Sequence, residues 1–171
     1  VPVRATRVDP SPAVFTTGGM FGALAGDTVE PITGLSDAVE SLAPAAIELE
    51  ADRSLAAVRT QQGTVASALS DGRTFLLDDR AGLIAPTIDA EGAVWSVPGN
   101  APTQVRVITA EGVPRDVGNA WPDASEISAM QISRDGTRVA AIVTVSGTRE
   151  VWVAGILRSA SGVSLGAPHV L

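Results

Sequence analysis

Ala46-Ile47-Glu48-Leu49-Glu50-Ala51-Asp52-Arg53 returns as Ala85-Pro86-Thr87-Ile88-Asp89-Ala90-Glu91-Gly92, and again as Ala129-Met130-Gln131-Ile132-Ser133-Arg134-Asp135-Gly136. Each copy enters an apolar stretch rich in β-formers. The aligned aliphatics Leu49, Ile88 and Ile132 stand 39 and 44 residues apart, the size of one four-stranded propeller blade rather than of a helical repeat. A small β-meander has one apolar face too many to be stable alone and buries it on the next copy, so such units come in rows or rings. Within the copies, Glu91-Gly92 and Asp135-Gly136 read as tight turns. Gly reaches positive φ at little cost, and Asp can hydrogen-bond its own backbone there.

Reading outward, each copy supplies four short strands. The first has them at about 46–50, 54–60, 63–69 and 73–78, with Ser70-Asp71-Gly72 as a turn. The second has them at about 83–89, 93–97, 104–109 and 112–117, where Gln104 to Thr109 alternates with period two. The third has them at about 126–132, 137–145, 149–157 and 163–165. Ahead of these, Ala13 to Thr17, the pair Gly18-Gly19 and Met20 to Leu24 read as a hairpin. A further extended piece follows at Thr28 to Ile32.

The fold class expected is therefore all-β, a propeller-type repeat of four-stranded blades. Residues 1–12, with three prolines, read as a linker or edge segment, and 13–171 as the propeller stretch. Within it lie a partial blade at about 13–33 and blades at about 46–78, 83–117 and 126–165. Since propellers close with about four to eight blades, the chain reads as an incomplete fragment of about three to four.

Forty-five per cent of the 171 residues are hydrophobic, enough for a sizeable packed core, and no boundary beyond residue 12 stands out. The net charge is −7, and all twelve basic residues are Arg, spread over nearly the whole length and outnumbered by acids. A protein that binds nucleic acid gathers positive charge on one face, so that partner is not expected. With no cysteine there is no disulfide, thiolate metal site or cysteine nucleophile. No run reaches the length needed to span a bilayer.

Motifs that carry chemistry elsewhere read here as structure. Gly162-Val163-Ser164-Leu165-Gly166 has the nucleophile-elbow spacing, but no helix follows, and the one histidine, His169, is close to the last residue. A Gly-flanked surface hairpin is the simpler reading. The acidic turns Asp71-Gly72, Asp89 to Gly92 and Ser133 to Gly136 offer one or two carboxylates each, too few for calcium, and read as turn formers. Asp78-Asp79 reads as the solvated end of an outer strand. Gly22 to Thr28 resembles a phosphate loop until the lysine position, which holds Asp27. No catalytic, cofactor-binding or metal-ligating residue is assigned.

Trp95 and Trp152 fall within strands and read as packed between blades. Trp121, in Asn119-Ala120-Trp121-Pro122-Asp123, falls on a connection between blades. It reads as the better candidate for an exposed partner contact, since aromatics are enriched at binding hot spots.

Several runs together resemble the β-propeller region of the LpqB family of actinobacterial lipoproteins. They are Leu83 to Trp95, then Trp121-Pro122, then Ile132-Ser133-Arg134-Asp135-Gly136-Thr137-Arg138-Val139-Ala140, and finally Val153 to Arg158. The resemblance covers about residues 13 to 166. It implies an exported protein at the extracytoplasmic face of the cell membrane, held by a lipid anchor upstream of Val1. A germination-protein-like domain would lie between the anchor and the propeller. It further implies association with the MtrA–MtrB two-component system, with the extracellular domain of the sensor histidine kinase as partner, and a role in envelope homeostasis and division. The family has no catalytic motif to transfer.

The expected function is a non-catalytic protein-interaction module. Two rivals are kept: a cell-wall glycan or small-ligand binder with Trp121 facing a groove, and a hydrolase that uses only Asp and Glu. Unpaired edges and an uncovered blade face further lead us to expect pairing with a second copy.

Overall fold

The computed structural model of the chain describes residues 3–5, 13–15, 21–25, 27–50, 54–109, 112–160 and 162–171. The expected Gly18-Gly19 turn and most of the 1–12 segment lie outside these. Contacts group the residues into two compact units, Val1–Asp79 and Arg80–Leu171, with a division that the sequence had not marked.

The first unit contains β1 (Val3–Ala5), β2 (Ala13–Phe15), β3 (Phe21–Ala25), β4 (Thr28–Pro31), α1 (Thr33–Ser41), β5 (Pro44–Leu49), β6 (Leu55–Thr60), β7 (Val65–Leu69) and β8 (Thr74–Asp78). Strands β2, β3 and β4 form a three-stranded antiparallel sheet. The order β1-β5-β6-β7-β8 forms a second, in which only β1 runs parallel to its neighbour. Val3–Ala5, inside the segment read as linker or edge, is thus an edge strand on β5.

Helix α1 was not expected. Leu35, Ala38 and Val39 are 0 to 3% exposed and pack with Ile47, Leu49, Ala56, Val58 and Ala68 of β5–β7, with Ile32 and Leu42 at the margin. Leu35, Ala38, Val39 and Leu42 follow the spacing of one helix face. The opposite face carries exposed Asp37 and Glu40. Burying Leu35 and Val39 contributes about 1.5–3 kcal/mol each over exposure. Ala43, at φ 47°, ends the helix in the left-handed region before β5 begins, and its N–H bonds to the Glu40 carbonyl.

The second unit contains β9 (Thr87–Ile88), β10 (Val94–Ser96), β11 (Arg106–Ile108), β12 (Pro114–Asp116), β13 (Glu126–Ile132), β14 (Arg138–Val145), β15 (Thr148–Ser159), β16 (Gly162–Leu165) and β17 (His169–Val170). An antiparallel sheet runs β12-β11-β10-β9, and a larger one β13-β14-β15-β16, with β17 also on β15. Their facing sides share one core, in which Trp95 (0%), Trp121 (0%) and Trp152 (8%) meet Val107, Ile132, Val139 and Leu165. The architecture is all-β and propeller-type, as expected.

Register shows the repeat side chain by side chain. Leu49, Ile88 and Ile132 are 1, 2 and 4% exposed, and each begins a row across its sheet: Leu49–Ala56–Ala68, Ile88–Val94–Ile108 and Ile132–Val139–Ala154. The residue before each begins a row on the opposite face: Glu48–Ala57–Ser67, Thr87–Trp95–Val107 and Gln131–Ala140–Val153. Alternation with period two makes these equivalences obligatory.

A close approach within the first unit supplies a test. A Cβ on Gly34 would overlap the backbone carbonyl oxygen of Ser70. In an open helix, Gly→Ala gains about 1 kcal/mol. Gly34→Ala is instead expected to destabilise the unit by about 1–2 kcal/mol, since a clash with backbone is relieved only by shifting it. A urea midpoint that rises on substitution would show the helix to be looser than this packing.

Candidate functional site

The repeated segment leads into a turn that the second and third copies close in related ways. In the second copy the Asp89 N–H bonds to the Ala93 carbonyl, and the Gly92 N–H to the Asp89 carbonyl. In the third, Ser133 N–H bonds to Arg138 and Gly136 N–H to Ser133; in the first, Glu50 N–H bonds to Leu55. Gly92 and Gly136 have φ of 77° and 69°, the left-handed conformation the sequence reading required. The side chain that braces the turn differs. Asp89 Oδ1 accepts from the N–H groups of Glu91 (2.9 Å) and Ala93 (3.0 Å). Ser133 Oγ accepts from Arg138 N–H and donates to Asp135 at 2.6 Å.

The second oxygen of Asp89 has a different role. Oδ2 accepts from the Trp95 indole N–H (2.9 Å) and from the Arg158 guanidinium (2.8 Å). Arg158 lies on β15, so one carboxylate, with 2% of its side chain exposed, joins the two sheets of this unit. Arg158 also donates to the Gly136 carbonyl (2.8 Å) and stands 3.5 Å from Glu91. Beside it, Thr87 Oγ1 accepts from the Gln131 side chain and from the Ile132 N–H. A Cβ on Gly136 would meet that of Ala90 at 3.0 Å. Backbone bonds extend the seam, from Ile127 N–H to the Gly99 carbonyl, from Gly118 N–H to Val163 and from Leu165 N–H to Gly118.

The acidic turns are thus turn formers, as expected, and their carboxylates already hold N–H groups. Asp71 accepts from Arg73 through both backbone and side chain. Among the described residues no group of three or more His, Asp or Glu side chains is placed to hold a metal ion. Ser164 lies in extended β16, paired with Leu157, and Ser159 pairs with Gly162. The Gly-flanked segment is therefore the outer arm of a hairpin, not a strand-to-helix elbow. His169 is exposed on β17, opposite Val153.

Two expectations are corrected. Asp78, read as a solvated strand end, is 4% exposed, and only Asp79 faces water. Trp121, read as an exposed contact, is fully buried. Asn119 and Trp121 have φ of 56° and 40°, and this pair of left-handed residues turns the connection inward. The indole then fills the core between the sheets. A bulky residue in that conformation is strained, and the Trp121 indole N–H is buried with no acceptor among the described residues. Apolar packing offsets both costs. What the loop presents outward is Asn119, Pro122 and Asp123, so any contact made here runs through them and not through Trp121.

On the surface, Ser133, Arg134, Asp135 and Arg138 line a shallow depression of about 510 Å³. The Ser133 hydroxyl and the Thr137 N–H lower the Asp135 carboxyl to about 2. Of the aromatic side chains described, Phe75 on β8 alone is exposed, at 47%, with Arg73 over its ring.

The model of the family described as the lipoprotein LpqB beta-propeller domain matches residues 18–170 of this chain. Among solved structures, the chain is similar to the crystal structure of TolB from Acinetobacter baumannii. The identity is 14% and the TM-score 0.33, over 89% of this chain and 49% of that one, so this chain spans about half its length. No curated protein sequence matches it.

Two measurements check the site. Asp89→Ala is expected to destabilise the second unit by about 3–5 kcal/mol, because it leaves the guanidinium and the indole N–H at the seam without their acceptor. An unchanged denaturation midpoint would show that the seam is not structural. Asp135 titrates lower folded than unfolded, so the stability it contributes is present above pH about 4 and is lost as pH falls through about 2. Ser133→Ala is expected to raise its folded pKa toward the ordinary value, read by NMR titration of the carboxyl carbon.

Proposed function

The chain belongs to the lipoprotein LpqB β-propeller domain family, and we propose that it serves a cell-envelope lipoprotein as a non-catalytic interaction module. The observation that carries this reading is the saturation of Asp89. The buried carboxylate at the seam accepts from four donors, Glu91 N–H, Ala93 N–H, the Trp95 indole and Arg158. A general acid or base needs a lone pair or proton within reach of a substrate, whereas this group is committed to rigidity. Rigid sheets that display loops suit recognition, since a pre-ordered surface loses little conformational entropy on binding.

In the finer reading, the partner is the extracellular domain of the sensor histidine kinase of the MtrA–MtrB system, and the intact protein is held by a lipid anchor at the extracytoplasmic face of an actinobacterial membrane. Support comes from the family match and from the ordered segments between Leu83 and Arg158 that resemble it. A sensor is biased only by a partner that binds its signalling states unequally. The loop at residues 118–123, clamped at Gly118 to β16 and anchored by Trp121, is the surface we assign to that contact. The glycan rival loses its aromatic platform, because Trp95, Trp121 and Trp152 are all buried.

Calorimetry of the chain against the purified kinase ectodomain is expected to show saturable binding. Asp123→Arg, an exposed substitution, should weaken it roughly tenfold if it reverses a favourable charge contact. Saturable binding unaffected at Asp123 would move the contact to another surface, and absence of binding would remove the kinase as partner of this chain.

A further inference from the structure

The connection at residues 118–125 is fastened at both ends and by little in between. Gly118 N–H bonds to the Val163 carbonyl (3.0 Å), and the Gly118 carbonyl accepts from Leu165 N–H (2.8 Å). At the other end the Thr144 carbonyl accepts from Ser125 N–H (2.8 Å) and from Ser125 Oγ (3.0 Å). Between these clamps one hydrogen bond is made among the described residues, from Ala124 N–H to the Trp121 carbonyl at 3.2 Å, the long end of the usual range. The segment is held down by the burial of Ala120 (3%) and Trp121 (0%) in the core of the second unit. Three features oppose that burial. Asn119 and Trp121 are both left-handed, and Trp121 precedes Pro122, whose ring pushes the residue before it toward the extended region. The Trp121 indole N–H, moreover, lacks an acceptor. The other two tryptophans differ: Trp95 donates to Asp89 (2.9 Å) and Trp152 to Glu150 (2.7 Å), each from a strand paired on both sides.

We infer that residues 119–123 form a latch, which swings out of the core while the sheets on either side of it stay paired. Each opposing feature is comparable in size with the burial of one side chain, so the closed loop is favoured by a narrow margin. Among the described residues none between Gly118 and Ser125 takes part in a strand pairing, so release breaks no ladder and the two clamps serve as its hinges. Trp95 and Trp152 have no such exit, because each leaves the core only if β10 or β15 parts from its neighbours. Closed, the latch fixes Asn119, Pro122 and Asp123 on the outside. Released, it dissolves that arrangement and gives the indole N–H to water. The latch therefore gates the surface assigned above to a partner; it rests on that assignment for its use but not for its existence. A partner that requires the closed loop binds with an affinity scaled by the fraction of molecules that are closed.

Hydrogen exchange of the three indole N–H groups, followed by NMR in the free chain at increasing sub-denaturing urea, tests the latch apart from any partner. The three groups share one intrinsic chemistry, so their rates report how each is opened to water. Trp121 is expected to exchange roughly a hundredfold faster than Trp95 and to be insensitive to urea, because local release exposes little new surface. Trp95 should instead quicken with urea as the unit unfolds. A bulkier probe separates release from the fluctuations that admit a single water. The chain has no cysteine, so Ala120→Cys places a lone thiol in the latch and Ala154→Cys places one in the same core on β15. The first is expected to react with an aromatic disulfide reagent roughly a hundredfold faster than the second, again without dependence on urea. Trp121 exchange that shares the rate and urea dependence of Trp95 would overturn the inference. So would labelling of a folded Ala120→Cys variant no faster than that of Ala154→Cys.

Discussion

A four-stranded meander has two broad faces, and when both carry small aliphatic side chains each must be covered. The whole chain is organised by that constraint. In the first unit the row Leu49–Ala56–Ala68 is covered by a short amphipathic helix, and in the second the row Ile132–Val139–Ala154 is covered by the neighbouring sheet. The two solutions are chemically alike: aliphatic side chains over alanines, close enough that Gly34 and Gly136 sit where a Cβ would meet the opposing layer. A helix suits the role of terminal cover, because it has one apolar stripe and one polar face, whereas another sheet would bring a further face to bury.

Apolar layers alone would slide past each other, since the hydrophobic effect is not directional. In the second unit the register of the layers is set by Asp89. One oxygen shapes the turn of its own sheet and the other receives Arg158 from the next, so the turn and the layer contact are formed together. Trp95 donates to the same oxygen and also fills the core, coupling polar registration to packing. The arrangement adds a second reason for the glycine of the third copy, beyond its positive φ: a side chain on Gly136 would press on Ala90 and move Arg158 off its acceptor.

Much of this was legible in the amino-acid order, and the remainder was hidden for identifiable reasons. The alignment of Leu49, Ile88 and Ile132 located the rows, because strand alternation carries burial into sequence directly. Helix α1 left a signal in the spacing of Leu35, Ala38, Val39 and Leu42, but nine residues with no side-chain N-cap and no acid in the first turn make a weak one. The partnership of Asp89 with Arg158 spans 69 residues and depends on how two sheets pack, which no local pattern encodes. Trp121 misled because its loop position implies exposure, while the backbone turn that buries it requires a left-handed conformation rare for tryptophan.

The three tryptophans all lie beyond Arg80, and the chain contains no tyrosine. Intrinsic fluorescence excited in the indole band therefore reports on the second unit alone, while the first, with its helix, is visible mainly in far-ultraviolet dichroism. If the two units melt separately, the two spectroscopies trace different transitions, and a single midpoint taken from emission describes half of the molecule.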